Sequence, residues 1–334
     1  MKNFVFVFLI LIFCTATFAQ SGDVAFIEDK AQNGNNAQHR DGVRTISTSA
    51  SYVDKGDKKE KEDDNIKDKG FDIIFAGGCY FGSKYNAQYY NGDYANENNL
   101  AYLFGNKYRY DEINTMIKDH YSYISDSIHY GGPLGNMKYR VAVMVQLGIR
   151  YKFSKNWSIQ LVYSFARLKA NGQFRLLYEA PPGNYHTGML DNQYILGKED
   201  RSLIDLSACY HFTTRSIVKP FLEAGIQFNF VRVKSMEAIF YDDNKNKLKS
   251  YSFINDLQNY VPGVQSDGTI VKYGGPGFGF SACAGIKLAF NKFVSIDPCF
   301  YFNAGKFGLE GYKDFSYNFG VLVRIVMNDS MFSK

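Results

Sequence analysis

The chain has 334 residues, a formal net charge of +5, 46% hydrophobic and 17% aromatic residues, and a mean hydropathy of -0.28. Lys and Arg are scattered along it, which excludes a nucleic-acid stripe and a polybasic membrane anchor. Past residue 20 no stretch reaches the roughly 20 continuous apolar residues of a spanning helix, which excludes a helical membrane protein.

Residues 1–19 combine Lys2, an apolar run from Phe4 to Phe13 and a small-residue exit at Thr17-Phe18-Ala19, which reads as a signal peptide cleaved after Ala19. Cys14 raises a lipoprotein alternative, opposed by the bulky Phe13 before it. Residues 20–70 are polar, poor in aromatics and end in a charge run from Asp57 to Asp64. Such a segment cannot bury enough apolar surface to offset its ordering entropy and is expected to be a disordered periplasmic leader, with a docking arm as the sharper alternative.

From residue 71 the sequence predicts eight strands, at 71–85, 138–153, 157–171, 201–213, 219–234, 276–290, 293–304 and 315–327. The run from Tyr139 to Phe153 is the clearest, with apolar residues at every odd position and small, polar or charged ones at nearly every even one. Short connections at Ser154-Lys155-Asn156, around Thr214-Arg215-Ser216 and at Asn291-Lys292 alternate with long ones, including loops 87–137, 172–200 and 235–275. Short turns on one rim and long loops on the other predict an all-β fold: an eight-stranded antiparallel up-and-down transmembrane β-barrel with both termini in the periplasm. Two interfacial girdles of Phe and Tyr would use the high aromatic content.

The competing fold is a soluble eight-stranded barrel with an apolar lumen and a polar outside. The continuous apolar face of Val141, Val143, Val145, Leu147 and Ile149, repeated in Phe278 to Phe290 and Phe315 to Ile325, favours the membrane form. The strand-turn rhythm of residues 71–334, the segment Tyr151-Lys152-Phe153-Ser154-Lys155-Asn156-Trp157-Ser158 and the amphipathic last strand Phe315–Met327 resemble the small outer-membrane barrels of Gram-negative bacteria. The likeness extends especially to the single-domain barrels of the Bacteroidota, PorT-like proteins among them. It implies an outer-membrane location, contact with outer-membrane lipid and with the insertion machinery, and, weakly, a role in secretion; it says little about activity.

Among inward positions, Asp72, Arg150, Glu223, Lys287, Asp297 and Arg324 fall at similar heights and are expected to form a lumen charge network. A plug is the simpler consequence and a charge-gated ion path the other. Cys283 and Cys299 share inward parity on neighbouring strands and form a candidate disulfide, with free thiols as the alternative. The run Asp242 to Lys247 imitates a calcium loop but lacks its glycine and its final glutamate, and reads as a polar turn between short strands at 237–241 and 248–253. His211, His120, His129 and His186 form no recognisable nucleophile arrangement, so no enzyme, metal or cofactor is expected.

Residues 87–137 hold nine tyrosines among Asn, Gly, Ser and Asp. Tyr89, Tyr90, Tyr94, Tyr121 and Tyr123 are the candidate recognition residues, because tyrosine offers rigid amphipathic contact area at low entropic cost. Ile113, Met116 and Ile117 after Asp111 predict a short helix over the barrel mouth. The function expected is a non-enzymatic membrane anchor whose loops meet a surface glycan or protein partner. A narrow channel for ions or small solutes is the first alternative and a lipid-modifying enzyme the second. No nucleic acid is expected.

Overall fold

The computed structural model describes residues 69–328, apart from 97, 122–126, 136, 179–188, 214–217, 243, 255–259, 264–272 and 292. The expected signal peptide and nearly all of the leader lie outside the described residues. In chain order the strands are β1 (Gly70–Phe81), β2 (Ile128–Pro133), β3 (Lys138–Tyr139), β4 (Ala142–Lys152), β5 (Trp157–Tyr178), β6 (Met189–His211), β7 (Val218–Tyr241), β8 (Lys247–Ser252), β9 (Pro276–Ala289), β10 (Val294–Lys306) and β11 (Ser316–Asn328). Between β1 and β2 the described residues form three α-helices, α1 (Lys84–Ala87), α2 (Ala101–Gly105) and α3 (Lys107–His120), with a 3-10 turn at Gln88–Tyr90 after α1.

Eight of the strands close a ring in which β1, β4, β5, β6, β7, β9, β10 and β11 pair antiparallel in that order. Pairing of β11 back onto β1, from Asp72↔Asn328 to Phe81↔Phe319, completes it. A closed ring satisfies every edge, which is what a sheet needs in a medium that offers its backbone no hydrogen bonds. β2 and β3 extend the sheet from β5, and β8 from β7.

On β4, Val143, Val145, Leu147 and Ile149 point outward and are 52–67% exposed, whereas Met144, Gln146 and Arg150 are buried in the lumen. The same exposed apolar face continues on β5 through Ile159, Leu161 and Tyr163, and on β11 through Phe319, Val321 and Ile325. An apolar exterior around a polar interior is the arrangement of a barrel solvated by lipid and excludes the soluble alternative. Outward apolar residues on β5 run from Trp157 to Phe165. At about 3.4 Å per residue and about 40° tilt, that length spans roughly 20 Å of membrane plus its rim side chains, close to the usual band.

The main departure from the expected elements is length. β5 runs on to Tyr178, β6 begins at Met189 and β7 ends at Tyr241, so much of the expected loops 172–200 and 235–275 is strand. β7 and β8 pair as a hairpin from Glu237↔Ser252 to Tyr241↔Lys247, around the polar turn at Asp242. Above the belt the strand faces exchange roles: Arg167, Lys169 and Arg175 of β5 point to solvent, while Leu168, Ala170, Phe174 and Leu176 are buried. These inward residues, with Ile195, Met236, Phe240 and Tyr251, pack against Leu103, Ile113 and Ile117 of the helical connection in one core. The strands thus carry a crown above the barrel, built like a soluble sheet with helices on its inner face.

α3 is longer than the expected helix and starts earlier. Asn106, rather than Asp111, is its cap: the Asn106 side chain accepts from the Arg109 N–H at 3.1 Å. Ile113 and Ile117 are its buried stripe.

Candidate functional site

The lumen is filled in three polar tiers. Nearest the short-turn rim, Arg324 Nη1 donates to Glu223 Oε1 at 2.6 Å and Oε2 at 2.7 Å. Arg150 reaches the same carboxylate through Nη2 at 3.3 Å, donates from Nε to Gln160 at 3.1 Å, and lies 3.8 Å from Asp297. All four charged residues are at most 5% exposed. One glutamate between two guanidinium groups offsets part of the cost of burying them, since each arginine must find an anion or keep water.

Two members of the expected network lie apart from this core. Asp72 faces Arg150 in register but pairs with Lys152, whose Nζ is 2.7 Å from its carboxylate. Lys287 makes no ion pair among the described residues.

The middle tier is neutral apart from Asp205. Gln227 donates to Asp205 at 2.7 Å, and Tyr301 donates to the second Asp205 oxygen at 3.1 Å. Asn303 donates to Gln227 at 3.1 Å and to the Tyr80 hydroxyl at 3.3 Å. The space left among Gln146, Gln160, Asp205, Glu223, Ser281 and Arg324 is a cavity of about 10 Å³, room for about one water.

The third tier closes the mouth, and the sequence reading did not anticipate it. Arg201 and Glu199 are both fully buried and joined at 2.5 Å. Tyr90 donates to Glu199 at 2.5 Å and Tyr139 donates to it at 2.9 Å. Arg201 donates to Asn318 at 3.1 Å and lies over the ring of Phe307 at 4.3 Å. Asn318 also accepts from the Ser83 N–H, and the Ser83 hydroxyl caps α1. Both acid and base sit on β6 two residues apart, so inward parity was the available signal. It was hidden because residue 199 fell in an expected loop.

Ser83 and α1 turn the chain back over the mouth so that Tyr89 and Tyr90 enter it. Gly197 makes room for this, since a Cβ there would meet the Tyr90 ring at 2.3 Å. Burial, then the Glu199 carboxylate, hold the Tyr90 hydroxyl protonated well above the ordinary tyrosine range.

The expected recognition tyrosines therefore divide. Tyr89, Tyr90 and Tyr121 are at most 2% exposed and form the underside of a lid, so their rings are not a contact surface. Tyr121 donates to the Tyr241 carbonyl at 2.7 Å. Tyr94 is 63% exposed and faces solvent. Tyr123 lies outside the described residues.

Cys283 and Cys299 are buried free thiols rather than a disulfide. Cys283 pairs with Tyr301 and Cys299 with Gly285, so the two cysteines are offset by one pair, with their side chains still in contact across the strands. Cys209 lies 3.6 Å from His211 Nδ1, while Asp205 is occupied by Gln227 and Tyr301 and, among the described residues, is not bonded to that imidazole. His120 Nδ1 lies 2.8 Å from the Met116 carbonyl, and His186 lies outside the described residues.

No protein-family model matches the chain and no curated protein matches its sequence. Solved structures with a similar strand arrangement include Neisserial surface protein A, 11% identical, covering 77% of this chain and 95% of that one with a TM-score of 0.36. OprG from Pseudomonas aeruginosa is 11% identical, with 78% and 94% covered and a TM-score of 0.31. Ail of Yersinia pestis, solved with the heparin analogue sucrose octasulfate, is 9% identical, with 78% and 98% covered and a TM-score of 0.28. At such identities and scores the architecture rests on the strand pairing and the exposed belt themselves. The chain is a transmembrane β-barrel. Its lumen is a packed polar core under a lid, and its crown rises above the lipid-facing belt.

Proposed function

We propose that this barrel is a non-conducting, non-enzymatic anchor in an outer membrane, and that its crown is the working surface. The observation that carries the reading is the stacking of three bonded polar tiers, with a cavity of about 10 Å³ between the two inner ones among the described residues. Eight strands enclose about the volume their own side chains fill, and the long inward residues Arg150, Arg201 and Arg324 are fully or almost fully buried. The crown, by contrast, offers Tyr94 at 63% and Tyr108 at 49% exposure. A surface glycan or protein partner would meet the barrel there.

The test is retention of vesicles carrying the full-length protein on immobilised glycans or host-surface proteins. Substituting Tyr94→Ser together with Tyr108→Ser should reduce retention at least tenfold, a loss of about 1.4 kcal/mol. Unchanged retention would remove these two rings from the contact surface. Single-channel recording in a planar bilayer separates this reading from the channel alternative, since a non-conducting anchor stays silent.

A further inference from the structure

On the wall formed by β5, β6 and β7, the outward residues change from apolar to cationic within one step of register. Leu161↔Leu206↔Ile226, Tyr163↔Ile204↔Phe228 and Phe165↔Ser202↔Phe230 are successive rows of the belt. The next row is Arg167↔Asp200↔Arg232, and the one above joins Lys169 to Lys198, with Lys234 beside it in the β7 bulge. Arg140 adjoins them, its backbone N–H donating to the Lys169 carbonyl at 2.8 Å. Among the described residues two acids answer these six cations. Asp200 binds Arg167 at 2.7 Å and Lys234 at 3.4 Å, and Glu237 lies 3.7 Å from Lys198.

Among the described residues the other side of the barrel carries no such band. There Phe81, Tyr317 and Phe315 end the belt, and Lys306 lies over the Phe315 ring at 5.7 Å.

Lys169 opposite Lys198 is the telling pair. Directly opposed like charges destabilise a strand pairing, and among the described residues Lys169 has no ion-pair partner. The band is continuous with the lipid-facing belt, at the level where headgroups meet water, so an anion held there would be tethered to acyl chains already on the wall.

We propose that this band is a docking site for the phosphorylated headgroup of a membrane lipid. The phosphate would lie between Lys169, Lys198 and Arg232, and the acyl chains over Phe165, Phe228 and Phe230. The inference rests on the membrane seating of the belt and not on the proposed role of the crown.

The experiment inserts the full-length protein into phosphatidylcholine vesicles with or without lipid A bearing two phosphates. The protein is then extracted into a neutral detergent, and the lipid still bound is counted by native mass spectrometry. Wild type should retain lipid A, and the triple variant Lys169→Gln, Lys198→Gln, Arg232→Gln should lose about a hundredfold in retention, at about fivefold per cation. Lys306→Gln should retain it as wild type does, and dephosphorylated lipid A should be retained by none. Equal retention by the triple variant, or an equal loss from Lys306→Gln, would overturn the site. So would competition by a soluble phosphorylated saccharide as strong as that of the lipid, since the band would then read a free anion. Failure of wild type to insert into the vesicles would instead overturn the membrane seating beneath the inference.

Discussion

Tyr90 donates its hydroxyl to Glu199 at 2.5 Å, and through this bond the first long connection is tied to the wall of the barrel. Both residues are fully buried, so the bond holds an aromatic ring in the mouth and supplies a carboxylate that has left water. Tyr139 and Arg201 hold the same carboxylate from other sides.

Tyr90→Phe should keep the barrel intact and loosen the lid. A hydrogen bond to a buried charge contributes about 2 kcal/mol, so amide exchange in α1 and α3 should speed by about 30-fold while the belt strands stay protected. Exchange unchanged in those helices would mean that Tyr90 does not fasten the lid.

Gly197→Val should go further, because the added side chain occupies the place of the Tyr90 ring. The expected result is a displaced lid, seen as proteolytic sensitivity of residues 84–121. Conductance should remain silent, since the two inner tiers persist.

Glu223 is the residue on which the innermost tier depends. Glu223→Gln leaves Arg324 and Arg150 buried with, among the described residues, one remaining ion pair, the 3.8 Å contact from Arg150 to Asp297, beside the Arg150 bond to Gln160. Removing one partner of a buried ion pair costs about 3–5 kcal/mol, so the urea midpoint of the vesicle-inserted barrel should fall sharply. Asp297→Asn should cost less, because that carboxylate makes the looser contact.

The lid should also respond to alkali. Burial raises the hydroxyl of Tyr90, with Glu199 adding to it, and burial raises that of Tyr130, with Tyr94 and Asp93 adding to it. A raised folded pKa means that the closed lid holds its protons more tightly than the open one. Its stability is therefore fully present below about pH 10, the ordinary tyrosine value, and falls as pH rises above it. Tyrosinate absorbance followed alongside exchange in α3 should show ionisation and opening together. Opening on approach to neutral pH would contradict this sign.

The barrel was legible because lipid on one side and a packed lumen on the other enforce a period of two, as from Tyr139 to Phe153. What the sequence hid begins at Arg167. There the period of two continues through Leu168, Ala170, Phe174 and Leu176, but its phase inverts, because water replaces lipid outside and helices replace the polar lumen inside. A search for outward apolar residues stops at that point and reads loop, although the strand continues to Tyr178. Glu199 was lost for the same reason, and Lys152 was overlooked as the partner of Asp72 because its position at the rim suggests solvent. The lid tyrosines were misplaced because composition marks a ring as a contact residue without saying which side of a loop it faces; burial decides that, and burial is a property of the fold.

The most direct test of the filled lumen is single-channel recording of the full-length protein in a planar bilayer. Wild type should insert and remain silent at all voltages that the bilayer tolerates. Discrete openings, with an amplitude that changes in Glu223→Gln, would contradict a filled lumen and make the barrel a channel.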